Sequence, residues 1–366
     1  MTSVRPDAGL ESRVADRNVV SFDPLPTPRR LLEELPTDER RSDLVQRSRE
    51  EVAGALAGTD DRMVVVVGPC SIHDVDAALE YAGRLKELAD SLSDDLIVLM
   101  RTYFEKPRTS IGWKGLIYDP SLDGASDAAR GLRIARRLLL EVTGMGLPCA
   151  VEVLDTITPQ YYSDLVSWAA IGARTVESQV HRQLASGLSM PIGFKNGTDG
   201  RIGAAVNAVA ASVTPHAFFG VDADGTVALV RTAGNAEAHV VLRGGDDGPN
   251  HDRATVADAL RRTREVVAHQ RPVMVDASHG NSGKDHTRQS LVVADLLDQW
   301  GAKDHGLLGL MLESNLAAGR QDWAPGIDLA HGVSITDACI DFDETVVLLE
   351  GCAAAVRSAR SGGRRG

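Results

Sequence analysis

Apolar positions along the chain fall into short runs separated by longer amphipathic stretches, a rhythm that holds from Met63 almost to the C-terminus. The runs Met63–Val67, Leu96–Arg101, Cys149–Leu154, Arg174–Glu177, Ile192–Asn196, His239–Arg243, Val273–Asp276 and Leu307–Leu312 read as strands. The first of them is uniformly apolar, as in a strand covered on both faces. Helices are predicted to begin near Val75, Ala125, Pro159, Val180, Ile202, Thr255 and His286, and a last one near Ile335. Leu260, Val266 and Val267 recur at helical spacing in one of them, and Leu291, Ala294, Leu296 and Leu297 in another. Eight strands alternating with eight helices is the count of an α/β (β/α)8 TIM barrel. An open doubly wound sheet is the structural rival. It often carries a glycine fingerprint after its first strand, which GPCSIHD (Gly68–Asp74) does not supply.

Two segments break the rhythm. The long stretch from Thr102 to Ser126 carries YFEKPRTSIGWKG, and Ala217 to Asn235 holds two alternating runs around Asp224-Gly225. The second predicts a β-hairpin with a two-residue turn, inserted before strand six. Residues 1–18 are polar and unpatterned and are expected to form a disordered tail. Residues 19–61 read as an N-terminal extension, with a short strand at Val19–Phe22 and a helix at Arg29–Leu35. A longer helix follows, capped by Pro36-Thr37-Asp38 and ended by Gly58. Residues 62–360 form the predicted barrel, with the hairpin at about 217–235 inside it.

Composition narrows the function. With 366 residues and 43% hydrophobic content, the chain can bury a large core. No run approaches the roughly 18 apolar residues that span a bilayer, so no membrane role is expected. The start lacks an apolar signal core, and Cys70, Cys149, Cys339 and Cys352 are scattered without CxxC. A reducing cytoplasm fits that usage best. A net charge of −12 and the lack of a basic stripe argue against nucleic acid. Small anions remain open, because a pocket's field is set by its own few arginines.

In a barrel, functional groups gather where the strands end. Those ends supply Cys70 and His73, Arg101 with Lys106 and Arg108 in its long loop, Glu152, Arg174 and Glu177, Lys195, Arg243, Asp276 and His279, and Glu313, with Asp337 just beyond. Each cation taken singly has an ordinary explanation as a salt-bridge partner. Five or six at equivalent strand ends point instead to anionic ligands, since the arginine fork suits carboxylate and phosphate. A lone cysteine is usually a small buried hydrophobe. Cys70, His279, Glu313 and Asp337 together nevertheless make a thiolate, imidazole and carboxylate set suited to a divalent first-row metal.

These residues sit in blocks with a familiar look. GPCSIHD, MRTYFEKPRTSIGWKG, GARTVESQVHRQLASGLSMPIGFKNGTDG, VVLRGG, DASHGNSGK, LMLESN and SITDACI resemble type I 3-deoxy-D-arabino-heptulosonate-7-phosphate (DAHP) synthase, in its feedback-regulated microbial subgroup. The likeness runs in register from about Val19 to Val356. It implies a barrel with an N-terminal extension and an inserted hairpin. It also implies condensation of phosphoenolpyruvate with D-erythrose 4-phosphate and water, releasing phosphate, the step that opens the shikimate pathway to aromatic amino acids.

Carried over by motif, the metal ligands would be Cys70, His279, Glu313 and Asp337, holding one divalent ion. Mn²⁺ is favoured over Fe²⁺, Co²⁺ or Zn²⁺. Phosphoenolpyruvate would sit among Arg101, Lys106, Arg174, Lys195 and Arg243, with Glu152 lining the pocket. Lys106, Pro107, Arg108 and Thr109 would receive erythrose 4-phosphate, with Asp337 near a hydroxyl. Lys106, Glu152 and His279 are all candidates for managing the water's proton. An aromatic amino acid would bind near Pro159, Gln160, Leu184, Leu188, Ser189 and Gly220. A neighbouring subunit would help to close that pocket, which implies a homodimer or homotetramer. Gly220 leaves room for a para hydroxyl where phenylalanine-sensitive relatives tend to carry serine, so tyrosine is the expected effector.

Three other functions compete. 3-Deoxy-D-manno-octulosonate-8-phosphate synthase shares the barrel but takes arabinose 5-phosphate, and the KPRT run and the extension favour the four-carbon aldehyde. A Schiff-base aldolase could use Lys195 or Lys106, though the surrounding arginines fit anion binding better. A barrel kept only as a regulatory subunit would not need every ligand and anion-binding position intact.

Overall fold

The computed structural model describes residues 14–108, 112–267, 271–302, 305–324 and 326–362. Short, largely apolar runs form the strands β1 (Met63–Gly68), β2 (Leu96–Arg101), β3 (Cys149–Glu152), β4 (Trp168–Ile171) and β5 (Ile192–Lys195). Next come β6 (Ala217–Val221) and β7 (Val227–Arg231), then β8 (Ala238–Leu242), β9 (Val273–Asp276) and β10 (Leu307–Glu313). All but β6 and β7 join one closed parallel barrel, in the order β1-β10-β9-β8-β5-β4-β3-β2. Every residue of β1 and β10 is buried, as the apolar runs require.

The barrel closes where the first strand meets the last, a seam that sets Gly68 opposite Glu313. Gly309 in that seam cannot be replaced cheaply. Its φ is 156°, and a β-carbon there would lie 1.8 Å from the Val64 carbonyl oxygen.

The helices are α1 (Pro28–Glu34), α2 (Glu39–Ala57), α3 (Val75–Ser91), α4 (Ala128–Gly144), α5 (Gln179–Ala185), α6 (Gly203–Ser212), α7 (Arg253–Val266), α8 (Gln289–Trp300) and α9 (Phe342–Gly362). Asp38, Asp74, Asp127 and Asp252 start four of them by accepting backbone amides of the first turn. One apolar cluster lies between the strands and the helices, and a second fills the barrel's interior with Val64, Val66, Leu99, Trp168, Met274 and Met311. Val52, Ala55 and Leu56 of α2 belong to the interior cluster, so this helix closes the end where the strands begin. The opposite end, where the strands stop, is left for chemistry. Among the described residues, no helix is long and apolar enough to cross a membrane.

Several sequence expectations need correction. Strand four is Trp168–Ile171, not Arg174–Glu177. The latter is a turn in which the Gly172 carbonyl accepts from the amides of Thr175 and Val176, so its β-branched pair misleads. No α-helix starts near Pro159, where Thr158–Tyr161 and Ser163–Leu165 are short 3-10 turns. Arg49 of α2 takes the carbonyls of Ser163 and Val166 there, which fixes the chain by tertiary bonds instead. The last helix starts at Phe342 rather than near Ile335, because bridges from Ser334, Cys339 and Ile340 hold that segment to the loop after β10. Val19–Phe22 forms no strand beyond a single-residue bridge at Phe22. The hairpin exists, but a longer turn replaces the predicted two-residue one. Asp222 Oδ1 accepts from the amides of Asp224 and Thr226, with Gly225 at φ 75°.

Candidate active site

Strand ends place the polar groups. Arg101, Glu152, Lys195, Asp276 and Glu313 are the last residues of β2, β3, β5, β9 and β10, and Arg243 directly follows β8. Arg174 and His279 lie just past β4 and β9, and Cys70 just past β1. A cavity of about 590 Å³ opens at these ends. Arg101, Lys106, Arg174, Lys195, Arg243 and Glu152 all line it, and so do Pro107, Arg108, His279 and Asp337. Thr109 lies outside the described residues.

Cys70 and Glu313 sit beside that cavity, fully buried. The Cys70 sulfur and carboxylate oxygens of Glu313 and Asp337 all lie within 4.8 Å of one another. His279 stands next to this trio rather than inside it, with Nε2 3.6 Å from Glu313 Oε1. Burial, followed by the charge on Glu313, pushes the Cys70 thiol up to about 11. A thiolate there therefore needs a cation beside it. Lys106 Nζ lies 3.0 Å from the sulfur as one such charge. Burial alone would lower the Lys106 pKa, but the charges on Cys70 and Glu313 outweigh it and the net shift is upward. One sulfur, carboxylate oxygens and a nearby imidazole form a donor set that fits a divalent first-row ion.

Behind the donors runs a buried ionic network. Arg101 Nη2 donates to Glu313 Oε1 at 2.9 Å, and its guanidinium lies 3.5 Å from the centre of the Tyr103 ring. Lys195 Nζ reaches Asp276 Oδ2 at 3.0 Å and Glu152 Oε2 at 3.9 Å. Burial opposes ionisation of Asp276, but Lys195 and His279 hold its carboxyl well below the usual carboxylate range. These charges are rigid because strands fix their backbones and partners fix their tips.

The loop after β2 is held differently. Lys106 N donates to the Lys114 carbonyl at 2.9 Å, folding the loop back on itself. Gly115 makes this possible: its φ is 110°, and a β-carbon would lie 2.1 Å from the Phe104 carbonyl oxygen. Arg108 Nε donates to the Trp113 carbonyl at 2.7 Å, which aims an exposed guanidinium at the cavity. Its other nitrogens, and the whole Arg174 head group, have no partner among the described residues.

A second pocket of about 440 Å³ lies outside the barrel, between the hairpin and the segments after β3 and α5. Pro159, Gln160, Leu184, Leu188, Ser189 and Gly220 all line it. So do Phe218 and Val230 of the hairpin, and Ser186 and Thr232, whose hydroxyls are 2.6 Å apart. Sequence reasoning missed Lys284, Thr198 and Asp246, which line the main cavity. Lys284 carried a signal inside the DASHGNSGK block, and Thr198 inside the block that ends KNGTDG; Asp246 carried none.

The class is now defined: a (β/α)8 barrel with a cationic mouth above a cluster of metal-type donors. The chain belongs to the DAHP synthetase I family, whose model matches residues 40–350. A phospho-2-dehydro-3-deoxyheptonate aldolase of Corynebacterium glutamicum is 50% identical over 354 residues, covering 95% of this chain and 96% of that one. The Tyr-sensitive enzyme of that name from Escherichia coli is 50% identical over 327 residues, 89% of this chain and 91% of its own. A Phe-sensitive counterpart from the same organism is 48% identical over 345 residues, 94% and 98% of the two chains. The solved structure of the Francisella tularensis aldolase superposes with a TM-score of 0.91 at 48% identity, covering 93% of this chain and 99% of that one.

Proposed function

We propose that this enzyme is a transferase, 3-deoxy-7-phosphoheptulonate synthase. It condenses phosphoenolpyruvate with D-erythrose 4-phosphate and water to give DAHP and inorganic phosphate, the first step of the shikimate pathway. The observation that carries this reading is the convergence of seven lysines and arginines on one cavity directly beside the Cys70, Glu313 and Asp337 donors. Arabinose 5-phosphate as the aldehyde is not favoured, given the family.

Arg101, Lys106, Arg174, Lys195 and Arg243 bind the phosphate and carboxylate of phosphoenolpyruvate. Pro107, Arg108 and Thr109 receive erythrose 4-phosphate, with Arg108 on its phosphate and Asp337 near a hydroxyl. Two anionic substrates repel, and this bed of charge brings them within bonding distance. Cys70, His279, Glu313 and Asp337 hold a divalent ion, Mn²⁺ foremost, with Fe²⁺, Co²⁺ or Zn²⁺ as alternatives. When bound, that ion polarises the aldehyde carbonyl and offsets charge on its oxygen. Of the groups weighed for the water's proton, Glu152 is the least committed. Its nearest charged partner is Lys195 at 3.9 Å, whereas Asp276 holds His279 and Cys70 holds Lys106. Glu152 therefore takes that role.

The side pocket binds an aromatic amino acid as feedback inhibitor, tyrosine in preference to phenylalanine, in a cytoplasmic homodimer or homotetramer. Both Tyr-sensitive and Phe-sensitive relatives support an aromatic effector. Gly220 supports tyrosine: a β-carbon there would lie 2.9 Å from Val230 Cγ2, so a larger residue would crowd the pocket wall. The test of the main reading is phosphate release from phosphoenolpyruvate with each aldehyde phosphate in turn. Release with erythrose 4-phosphate is expected. Release only with arabinose 5-phosphate, or with neither, overturns it.

A further inference from the structure

Asp276, the last residue of β9, is completely buried, and both of its carboxylate oxygens are engaged. Oδ1 accepts from the Ser278 amide at 3.0 Å and from the Ser278 hydroxyl at 2.6 Å. Oδ2 accepts from Lys195 Nζ at 3.0 Å and lies 2.9 Å from His279 Nδ1. One oxygen thus touches a residue of the anion bed and a residue of the donor cluster.

The contact with His279 fixes the state of its ring. Nδ1 faces Asp276 Oδ2 at 2.9 Å and Ser278 Oγ at 2.7 Å; the Ser278 hydrogen goes to Asp276 Oδ1, so both oxygens are left to accept and the proton falls on Nδ1. That leaves Nε2, the nitrogen nearest Glu313, as the ring atom available to an ion. The backbone assists. His279 sits at φ 53°, in the left-handed region, and its carbonyl accepts from the Lys284 amide at 2.7 Å. The turn sets where the ring is, and Asp276 sets its rotation and tautomer.

We propose that Asp276 is a positioning residue shared by the two halves of the site. Through a single oxygen, it turns His279 towards the divalent ion and holds Lys195 towards the anionic substrate. This rests on the metal and phosphoenolpyruvate assignments above. Supporting carboxylates of ligating histidines typically change metal affinity about 10–100-fold when replaced. What is particular here is that the same atom also serves the substrate side.

The test measures two affinities in the whole enzyme. Mn²⁺ binding to metal-free protein and phosphoenolpyruvate binding without the aldehyde are compared in the parent and in Asp276→Asn, with folding checked by circular dichroism. Both affinities should fall, that for Mn²⁺ by about 10–100-fold. Ser278→Ala removes the hydroxyl that touches Asp276 Oδ1 and His279 Nδ1 but keeps Lys195 on Oδ2, so its phosphoenolpyruvate affinity should fall less than that of Asp276→Asn. A fall in only one affinity, or in neither, overturns the shared role. Should Asp276→Asn not fold, the same two affinities are measured in Asp276→Glu, which keeps the charge but displaces Oδ2: a fall in both supports the shared role, and a fall in one or neither overturns it. Failure of the underlying reading has a different signature, in that the parent itself would bind neither Mn²⁺ nor phosphoenolpyruvate.

Discussion

At the barrel mouth, Arg101, Lys195, Asp276 and Glu313 end strands that are buried on both faces, and each charge is held by another charge. The side pocket takes Gly220 and Val230 from a hairpin whose outer face leaves Phe219, Val227 and Leu229 exposed. Its wall is largely a matter of shape, with a few hydroxyls. The mouth therefore loses function when one charge is removed and its buried partners are stranded. The pocket should instead drift in selectivity as small volumes change. Glu105 lies between the two regions. It directly precedes Lys106, and its Oε2 accepts from Thr158, next to Pro159 of the pocket wall.

The largest expected effect tests the mouth. Cys70→Ala removes a direct donor, so activity should fall by more than the about 100-fold upper cost of a supporting residue. EDTA should inactivate the parent and a divalent ion such as Mn²⁺ restore it. Full activity of Cys70→Ala in chelator would show that the donor cluster holds no working metal.

Next comes the loop side of the mouth. Arg108→Ala should raise KM for erythrose 4-phosphate about 10–100-fold, the span of a lost charge-assisted hydrogen bond. KM for phosphoenolpyruvate should move far less, and lysine at this position should rescue only weakly. Equal changes in both constants would show that Arg108 does not distinguish the two substrates.

The pocket should respond more gently. Tyrosine should inhibit the parent at lower concentration than phenylalanine, and Gly220→Ser should narrow or reverse that order. A hydrogen bond or a small clash of about 1 kcal/mol corresponds to a several-fold change in half-inhibitory concentration. An unchanged preference would remove Gly220 from effector selection.

A last effect concerns stability at the boundary rather than catalysis or selectivity. Burial, with the charges of Asp155 and Glu152 nearby, pushes the Glu105 carboxyl from 4.5 up to about 8. Between those values the folded state binds more protons than the unfolded one, so stability falls as pH rises. This contribution is complete below about pH 4.5 and has been lost once pH passes 8. Thermal melting across that window should show a shallower decline in Glu105→Gln than in the parent. Equal slopes would mean that Glu105 ionises normally.

The same contrast explains what could be read from the chain alone. Alternating apolar runs predict a barrel, and their polar endings all face one way, so Arg101, Glu152, Lys195 and Glu313 could be grouped before any coordinates. Arg174 reached the mouth although its strand was misplaced, because the true strand, Trp168–Ile171, ends just before it. The double duty of Asp276 was not legible. Lys195 is 81 residues away in the chain, and only the closed barrel brings it to the oxygen that also meets His279. The hairpin's turn was misjudged for a local reason: Asp222, outside the Asp224-Gly225 signal, organises it.

The seam of the barrel has a mechanical consequence. Cys70 follows the first strand and Glu313 ends the last, and the register sets Gly68 against Glu313. An ion held by both side chains is a clasp across the join that closes the ring. Its binding free energy adds to that of bringing together strands from opposite ends of the chain. On the proposed ligation, stripping the ion would do more than silence the chemistry: it would take a side-chain tie away from the seam and leave the five backbone register pairs of β1 and β10 to hold it.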